Sequence, residues 1–479
     1  MDSKSINSEL AVASMVDSPL LGDRHDGKIQ DKQTYGSFHA LAYLIAYAVG
    51  TGVLNLPSQA LNSGIRMAIV TLIINSIFLY QTYCLLADAM SFAPTVDRLN
   101  KTGTTTLHLD YEIERKIELP ELINIIIGRN ARRFYQGAIT FYMIGSLWSY
   151  AATFSGSLTQ EFSHLFGVAE NCDPDLNWSP ACNRVYVYFM LAFTVICIFL
   201  TLKDLADQAI IQGILAVFRF VVLFIMIITA TIGYFTVKDP MFADPHIPAD
   251  WNWRSIVNLF PAVAFSQIGH HSVPGLVHPL KNKKKLKWLF FGAIALTFVF
   301  YTMLIISTVV FFGDKTAQLI TLNWIKYPWT GAEPNWWQMV IKQTVILFVP
   351  INVLSCFPIN AITLGNNLLD SVPPEKRTKK VQVGFLLLAA IPPLIAATFS
   401  HTLSAIVVLA GCFGFFICLV FPSVLFIKSR DRIQKHLKSR KVRGPYHSWF
   451  SNFGFSALYS IVGVVACFVS LYFSIRNNF

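Results

Sequence analysis

The sequence predicts an all-α membrane protein with about eleven transmembrane helices, and three observations carry that prediction. The chain of 479 residues is 54% hydrophobic and only 14% charged, with a mean hydropathy of +0.51. Apolar runs of about twenty residues, long enough to cross a hydrocarbon core, recur from one end to the other. Lys and Arg collect in alternate short loops between those runs. A soluble domain cannot cover its surface with so little charge, whereas a bilayer accepts apolar residues on the outside.

The expected spans are 36–60, 64–90, 132–158, 185–202, 208–236, 254–279, 287–312, 337–367, 381–399, 402–427 and 454–475. Residues 1–34 are polar, lack an apolar signal-peptide core and read as a disordered tail, so the first span serves as signal anchor. Residues 35–479 then form one polytopic domain. Between the second and third spans, Leu119, Leu122, Ile123, Ile126 and Ile127 recur at helical spacing beside basic residues. That segment reads either as an interfacial helix or as a frayed start to the third span.

Orientation follows from charge. The basic loops KNKKKLK (281–287), PPEKRTKK (373–380) and IKSRDRIQKHLKSRKVR (427–443) fall on one side. Loops 159–184, 237–250 and 313–335 are acidic or neutral and rich in Trp and Pro. Basic loops in the cytosol put the N-terminus inside and the C-terminus outside. The net charge of +11 is explained by this pattern, so a nucleic-acid partner is not expected.

Of the 8 Cys, most lie inside apolar spans as small packing residues, among them Cys84, Cys356, Cys412, Cys418 and Cys467. Cys172 and Cys182 share the polar loop NCDPDLNWSPACN. They either pair as a disulfide or stay free, and an extracytoplasmic loop favours the pair. The same loop carries the sequon Asn177-Trp178-Ser179, which this orientation places outside as the candidate glycosylation site, although the following Pro180 disfavours modification. The sequon at Asn100 falls on the cytosolic side and is expected to stay unmodified.

Two spans carry polar interruptions. In the first, AYLIAYAVGTGVLNLPSQAL, the residues Gly50, Thr51, Gly52 and Pro57 break a helix-forming run. The sixth, FPAVAFSQIGHHSVPGLVHPL, places Gln267, Gly269, His270, His271, Ser272, Pro274 and Gly275 near its middle. A broken helix frees N–H and C=O groups, tolerated at membrane depth only where they line a protein cavity. The N–H ends suit a carboxylate and the carbonyl ends suit an ammonium or a metal cation. Taken singly, Gly in a membrane helix is usually a packing contact and Pro a simple kink. Breaks opening each of two five-span halves instead mark an inverted-repeat transporter, with halves at 36–236 and 254–427 and an extra span at 454–475.

His270 and His271 are the titratable candidates for proton exchange; the alternative is that one bonds to freed backbone and the other packs. Arg219, in QGILAVFRFVVLFIMIITA, is an intramembrane cation expected to pair with a helix C-terminus or an unwound carbonyl in a structural role. Lys342 lies near the outer end of its span, can snorkel and is given no function. No GxSxG, HExxH, P-loop or dinucleotide turn is present, so neither an enzyme nor an ATP-driven pump is expected. No metal site is expected either, since His270 and His271 are adjacent rather than three or four apart. No cofactor is called for beyond a coupling H⁺ or Na⁺.

At GTGVLNLP and AFSQIGHHSVPGLVHPLK the sequence resembles the amino acid/auxin permease family, part of the amino acid-polyamine-organocation superfamily, and the likeness runs over about 36–475. One branch of that family is resembled more closely, through YAATFSGSLTQ, TLNW, FPINAITLGNNLL and PPLIAATFSHTLSAIVVLAG. The resemblance implies the fold of the bacterial leucine transporter, a 5+5 inverted repeat plus one extra C-terminal span. It implies that Gly50, Thr51, Gly52 and Val53, with Ser266, Gly269 and His270, surround a small amino-acid-like substrate. The family's sixth-span His corresponds to His270 or His271. Val277 and His278 stand where an acidic residue often follows the Pro, a departure that leaves coupling ion and substrate range open. The expected function is secondary active transport of amino acids or similar zwitterions. The competing reading is a transporter-derived sensor without net flux. No protein partner is named by the sequence. Asp17-Ser18-Pro19-Leu20-Leu21 resembles an acidic-dileucine signal, so endosomal or lysosomal membrane and plasma membrane both stand open.

Overall fold

The computed structural model describes residues 36–103, 117–168, 172, 178–202, 209–237, 251–329, 335–369, 371–399, 403–438 and 442–478. The tail with its dileucine motif, and Asn177 of the sequon, lie outside the described residues. Among the described residues there are helices and no strands. In lipid that is the expected economy, because a helix satisfies its own backbone hydrogen bonds.

The described residues open with α1 (Ser37–Ala48), a 3₁₀ turn (Thr51–Asn55) and α2 (Leu56–Ser63). Next come α3 (Ile65–Thr102), α4 (Leu119–Ile126), α5 (Arg129–Phe162), α6 (Pro180–Thr201) and α7 (Ala209–Thr236). The second half opens with α8 (Ile256–Gln267), a 3₁₀ turn (His270–Ser272) and α9 (Val273–Val277). It continues with α10 (Leu286–Phe312), α11 (Trp336–Leu369) and α12 (Lys379–Phe399). Then α13 (Leu403–Phe415) passes through a π turn (Phe416–Val420) into α14 (Phe421–Leu437), and α15 (Phe453–Asn478) ends the chain.

Eight stretches among the described residues are long and apolar enough to cross a membrane: Ile65–Thr102, Pro180–Thr201, Val217–Thr236, Lys283–Lys315, Trp336–Leu369, Lys379–Phe399, Ala405–Leu437 and Phe453–Ser474. The protein is therefore a multi-pass helical membrane protein. The three other expected spans fall on the two interrupted helices, α1–α2 and α8–α9, and on α5, whose 34 residues include many Ser, Thr and Tyr. The outward faces suit a lipid surrounding: Leu191, Phe224, Val299, Leu388 and Val465 are exposed midway along their helices. Trp253, Trp288, Trp336 and Trp449 are exposed near helix ends, where amphipathic rings prefer to sit.

Two helices run past their expected ends near 90 and 427. α3 continues to Thr102 and α14 to Leu437, because their polar extensions have partners in each other. Arg432 Nη1 donates to Asn100 Oδ1 at 3.0 Å, and Asn100 Nδ2 donates to the Ile125 carbonyl at 2.9 Å. The second contact ties in α4, which is a separate helix set off by Gly128 at φ +127°. Its Leu122, Ile123 and Ile126 are fully buried against protein, so its apolar face does not lie on lipid as an interfacial helix's would.

The segment 442–451 docks on the same end of the bundle. Tyr446 is fully buried and its N–H donates to Asp88 Oδ1 at 2.8 Å. Ser448 Oγ donates to Gln81 Oε1 at 2.6 Å, and Lys287 Nζ to the His447 carbonyl at 2.7 Å. The opposite end is closed by different ties. Asn252 bonds the carbonyls of Asn62 and Ser63, and Asn55 Nδ2 donates to the Gln318 carbonyl at 3.1 Å.

Candidate substrate site at two helix breaks

The first break is local in origin. α1 stops at Ala48, Val49 turns away from helix (φ −83°, ψ 76°) and Gly50 is extended. Pro57 lacks an N–H and can resume a helix only near its first turn, which is where α2 places it. Thr51, Gly52, Val53, Leu54 and Asn55 form the buried 3₁₀ turn between. Its amide end carries no side-chain cap. Thr51 Oγ1 lies 3.5 Å from Ser149 Oγ of α5, and Gln59 Nε2 donates to Asn55 Oδ1 at 3.1 Å.

The second break repeats the pattern. α8 ends at Gln267, Ile268 is extended (ψ 127°), and Gly269 caps the His270–Ser272 turn without a side-chain hydrogen bond. Pro274 then starts α9, as Pro57 starts α2. The carbonyl end of α8 is closed from α10, where Tyr301 Oη donates to the Ser266 carbonyl at 2.8 Å. The Ser266 hydroxyl donates to the Val263 carbonyl at 2.8 Å, so its proton is already used within its own helix. Gln267 is fully buried and accepts from Asn75 Nδ2 at 2.8 Å.

His270 is fully buried, stacked on Tyr83 at 3.8 Å between ring centroids, with Nε2 2.9 Å from Thr82 Oγ1. Thr82 Oγ1 also donates to the Leu79 carbonyl at 3.1 Å. With that proton spent, the hydroxyl accepts from Nε2–H, which leaves Nδ1 as the lone-pair nitrogen. His270 Nδ1 has no hydrogen-bond partner, and neither has His271 Nδ1. His271 is only partly buried and its ring centroid lies 5.9 Å from that of Tyr142.

The two breaks meet. A Cβ added at Gly52 would lie 2.7 Å from Phe265 Cδ1 and 3.0 Å from Ser266 Cα, so only glycine permits this approach. A Cβ at Gly50 would meet nothing within 4 Å, so Gly50 borders open space. Gly411 of α13 is pressed on Pro261 of α8, and Gly414 lies beside Ile268 and Tyr142. Of the residues expected around the site, Gly52 and Ser266 are thus in contact across the breaks. Gly50, Thr51 and Val53 are continuous with Gly52, whereas His270 points to Thr82 and Tyr83 of α3.

Arg219 reaches the carbonyl end of the first break. It is 7% exposed; Nη1 donates to the Val49 carbonyl at 3.4 Å, Nε to Asn352 Oδ1 at 2.6 Å and Nη2 to Cys356 Sγ at 2.9 Å. Cys356 is therefore a polar partner and not merely a small hydrophobe. Lys342 also has a partner, Glu161 Oε1 at 3.4 Å, which in turn accepts from Gln343 at 2.8 Å. Cys172 and Cys182 form a disulfide. Reading the sequence did not single out Asn75, Thr82, Tyr83, Tyr301 or Asn352, because each is an ordinary helical residue whose role comes from the helix it faces.

Residues 33–476 match the family model described as transmembrane amino acid transporter protein. The chain is similar to transmembrane protein 104 of Mus musculus, 24% identical over 454 residues that cover 84% of this chain and 89% of the relative. It is likewise similar to the Drosophila melanogaster homolog of transmembrane protein 104, 24% identical over 511 residues covering 91% and 97%. The Homo sapiens protein is 24% identical over 474 residues covering 87% and 93%. This is the branch whose motifs run through the third, eighth, ninth and tenth expected spans. With a match extending over nearly the whole chain, two abutting helix breaks and a multi-pass apolar bundle, the chain belongs to the family of transmembrane amino acid transporter proteins.

Proposed function

We propose that the protein is a secondary active transporter that moves amino acids or similar small zwitterions by alternating access. The observation that carries the reading is the meeting of two interrupted helices at Gly52 and Ser266, each restarting with uncapped amides, in a chain of this family. Freed N–H groups of the Thr51–Asn55 turn suit a substrate carboxylate. Gly50, Thr51, Gly52 and Val53 would line one wall of the site, with Ser266, Gly269 and His270 on the other. Eleven spans arranged as a 5+5 inverted repeat plus α15 accommodate this reading. The segments 283–287, 430–435 and 442–451 gather at one end of the bundle, which supports a cytosolic N-terminus and an extracytoplasmic C-terminus.

His270 and His271 are the groups proposed to exchange a proton, each offering a buried ring nitrogen without a partner. Substrate arrival beside one of these nitrogens would change the relative cost of its two protonation states, which is what coupling requires.

The test is uptake of a panel of labelled amino acids into proteoliposomes, at two pH values, with and without sodium. Uptake that requires an imposed gradient supports the proposal. Binding without uptake, in liposomes where a control transporter works, would favour a sensor.

A further inference from the structure

We propose that residues 442–451 form a displaceable strap whose backbone is inserted between Asp88 of α3 and Lys287 of α10, two side chains that pair with each other when it withdraws. Tyr446 N–H donates to Asp88 Oδ1 at 2.8 Å, and on the next residue the His447 carbonyl accepts from Lys287 Nζ at 2.7 Å. An acid and a base on neighbouring helices thus each hold a neutral backbone group rather than one another. Their charges still act on each other at a distance. Asp88 is fully buried, yet its Oδ2 has no hydrogen-bond partner.

The strap contains neither helix nor strand, and its own backbone bonds are short-range, such as His447 N–H to the Gly444 carbonyl at 3.3 Å. Segments of that kind open at a fraction of the free energy of global unfolding. Gly444 rests so closely on Asp88 that an added Cβ would collide with the carboxylate. Ser448 Oγ adds the bond to Gln81 Oε1 at 2.6 Å. Leaving a buried carboxylate bare is costly, and that cost ordinarily keeps such a segment in place. Here Lys287 stands ready to remove it. On withdrawal Asp88 exchanges an amide for an ammonium and Lys287 exchanges a carbonyl for a carboxylate, which joins two charged groups in one bond. The unpaired Oδ2 gives the ammonium a second acceptor.

α3 packs on α2 and α8, and α10 packs on α1 and α2, so the strap separates side chains on two helices that support both breaks. Its withdrawal draws the ends of α3 and α10 together. On the transport reading, on which this consequence alone rests, that movement is one step in changing the side to which the site opens. The experiment is hydrogen exchange read by mass spectrometry on the full-length protein in lipid nanodiscs. It is joined by zero-length coupling with dicyclohexylcarbodiimide, which links a carboxyl to an amine only where the two are in contact.

Ser448→Ala loses one hydrogen bond, so 442–451 should exchange about 2- to 10-fold faster while α3 and α10 stay as protected as before. Gly444→Ala is expected to expose the segment and to gain an amide between Asp88 and Lys287 that the wild type forms only slowly. If Gly444→Ala does not fold, Ser448→Ala carries the same comparison and should also form that amide faster than the wild type. Exchange of 442–451 as slow as that of the buried parts of α3 and α10, in wild type and Ser448→Ala alike, overturns the proposal. So does faster exchange of the segment with no gain in the amide. Absence of uptake in liposomes would sink the transport reading, and exchange and coupling would still decide the strap.

Discussion

Replacing Gly52 by alanine tests whether the two breaks are in contact. The added Cβ would fall 2.7 Å from Phe265 Cδ1 and 3.0 Å from Ser266 Cα, where ordinary contact begins at 3.4 Å. The ring of Phe265 can turn a little, but it is 8% exposed and packs beside Tyr142, and the Ser266 backbone is held by Tyr301. Forcing an extra methyl into packing of this kind costs about 1–3 kcal/mol. Gly50→Ala is the control. Its backbone (φ −95°, ψ −164°) suits any residue and its Cβ would meet nothing within 4 Å. Both substitutions stiffen the unfolded chain to the same extent, by about 0.4–1 kcal/mol in favour of folding. That contribution cancels in the comparison, leaving Gly52→Ala less stable than Gly50→Ala by about 1–3 kcal/mol. Unfolding of membrane proteins in detergent is commonly irreversible, so inactivation half-lives at one temperature should accompany melting curves. If Gly52→Ala melts at or above Gly50→Ala, the abutment of α8 on the first break is wrong.

Four further outcomes are expected. Asn75→Ala removes a donor to the fully buried Gln267 and should destabilise by about 1–3 kcal/mol; unchanged melting would mean the pair is not buried together. Burial, aided by Arg443, Arg430 and Lys287, lowers the pKa of His447 from its ordinary 6.5. The undocked loop therefore takes up the proton first as pH falls. Hydrogen-exchange protection of 442–451 should be full above about pH 6.5 and decline below it. His447→Gln should flatten that profile, and a profile already flat in the wild type would remove His447 from the docking. Reduction of Cys172–Cys182, which closes a short loop, should cost about 2–3 kcal/mol of stability, and the same loss should appear in Cys172→Ser without reductant. Any N-glycan should vanish in Asn177→Gln and persist in Asn100→Gln; the reverse would invert the orientation.

Much of the candidate site was legible because its causes are local. Gly50, Gly52 and Pro57 interrupt one helix, and Gly269 and Pro274 the other, through backbone properties that do not depend on neighbours. Arg219 was legible as an intramembrane charge in need of an acceptor, but its choice of Val49, Asn352 and Cys356 was not. Those partners lie on helices far away in sequence, and nothing near Arg219 names them. The helical extensions of α3 and α14 past the expected spans were not legible, for a related reason. Apolarity marks where lipid ends, whereas a helix continues for as long as protein partners satisfy it.

Composition and periodicity by themselves determined that this chain crosses a membrane many times as helices, because hydrocarbon rejects both charge and unpaired backbone. They also determined where two of those helices must break. The tertiary structure decided that the breaks abut at Gly52, that Arg219 and Tyr301 close their carbonyl ends, and that His270 turns to Thr82 and Tyr83. Backbone constraints act within a few residues along the chain. Hydrogen bonds and packing act between whichever side chains the fold brings within a few ångströms of each other.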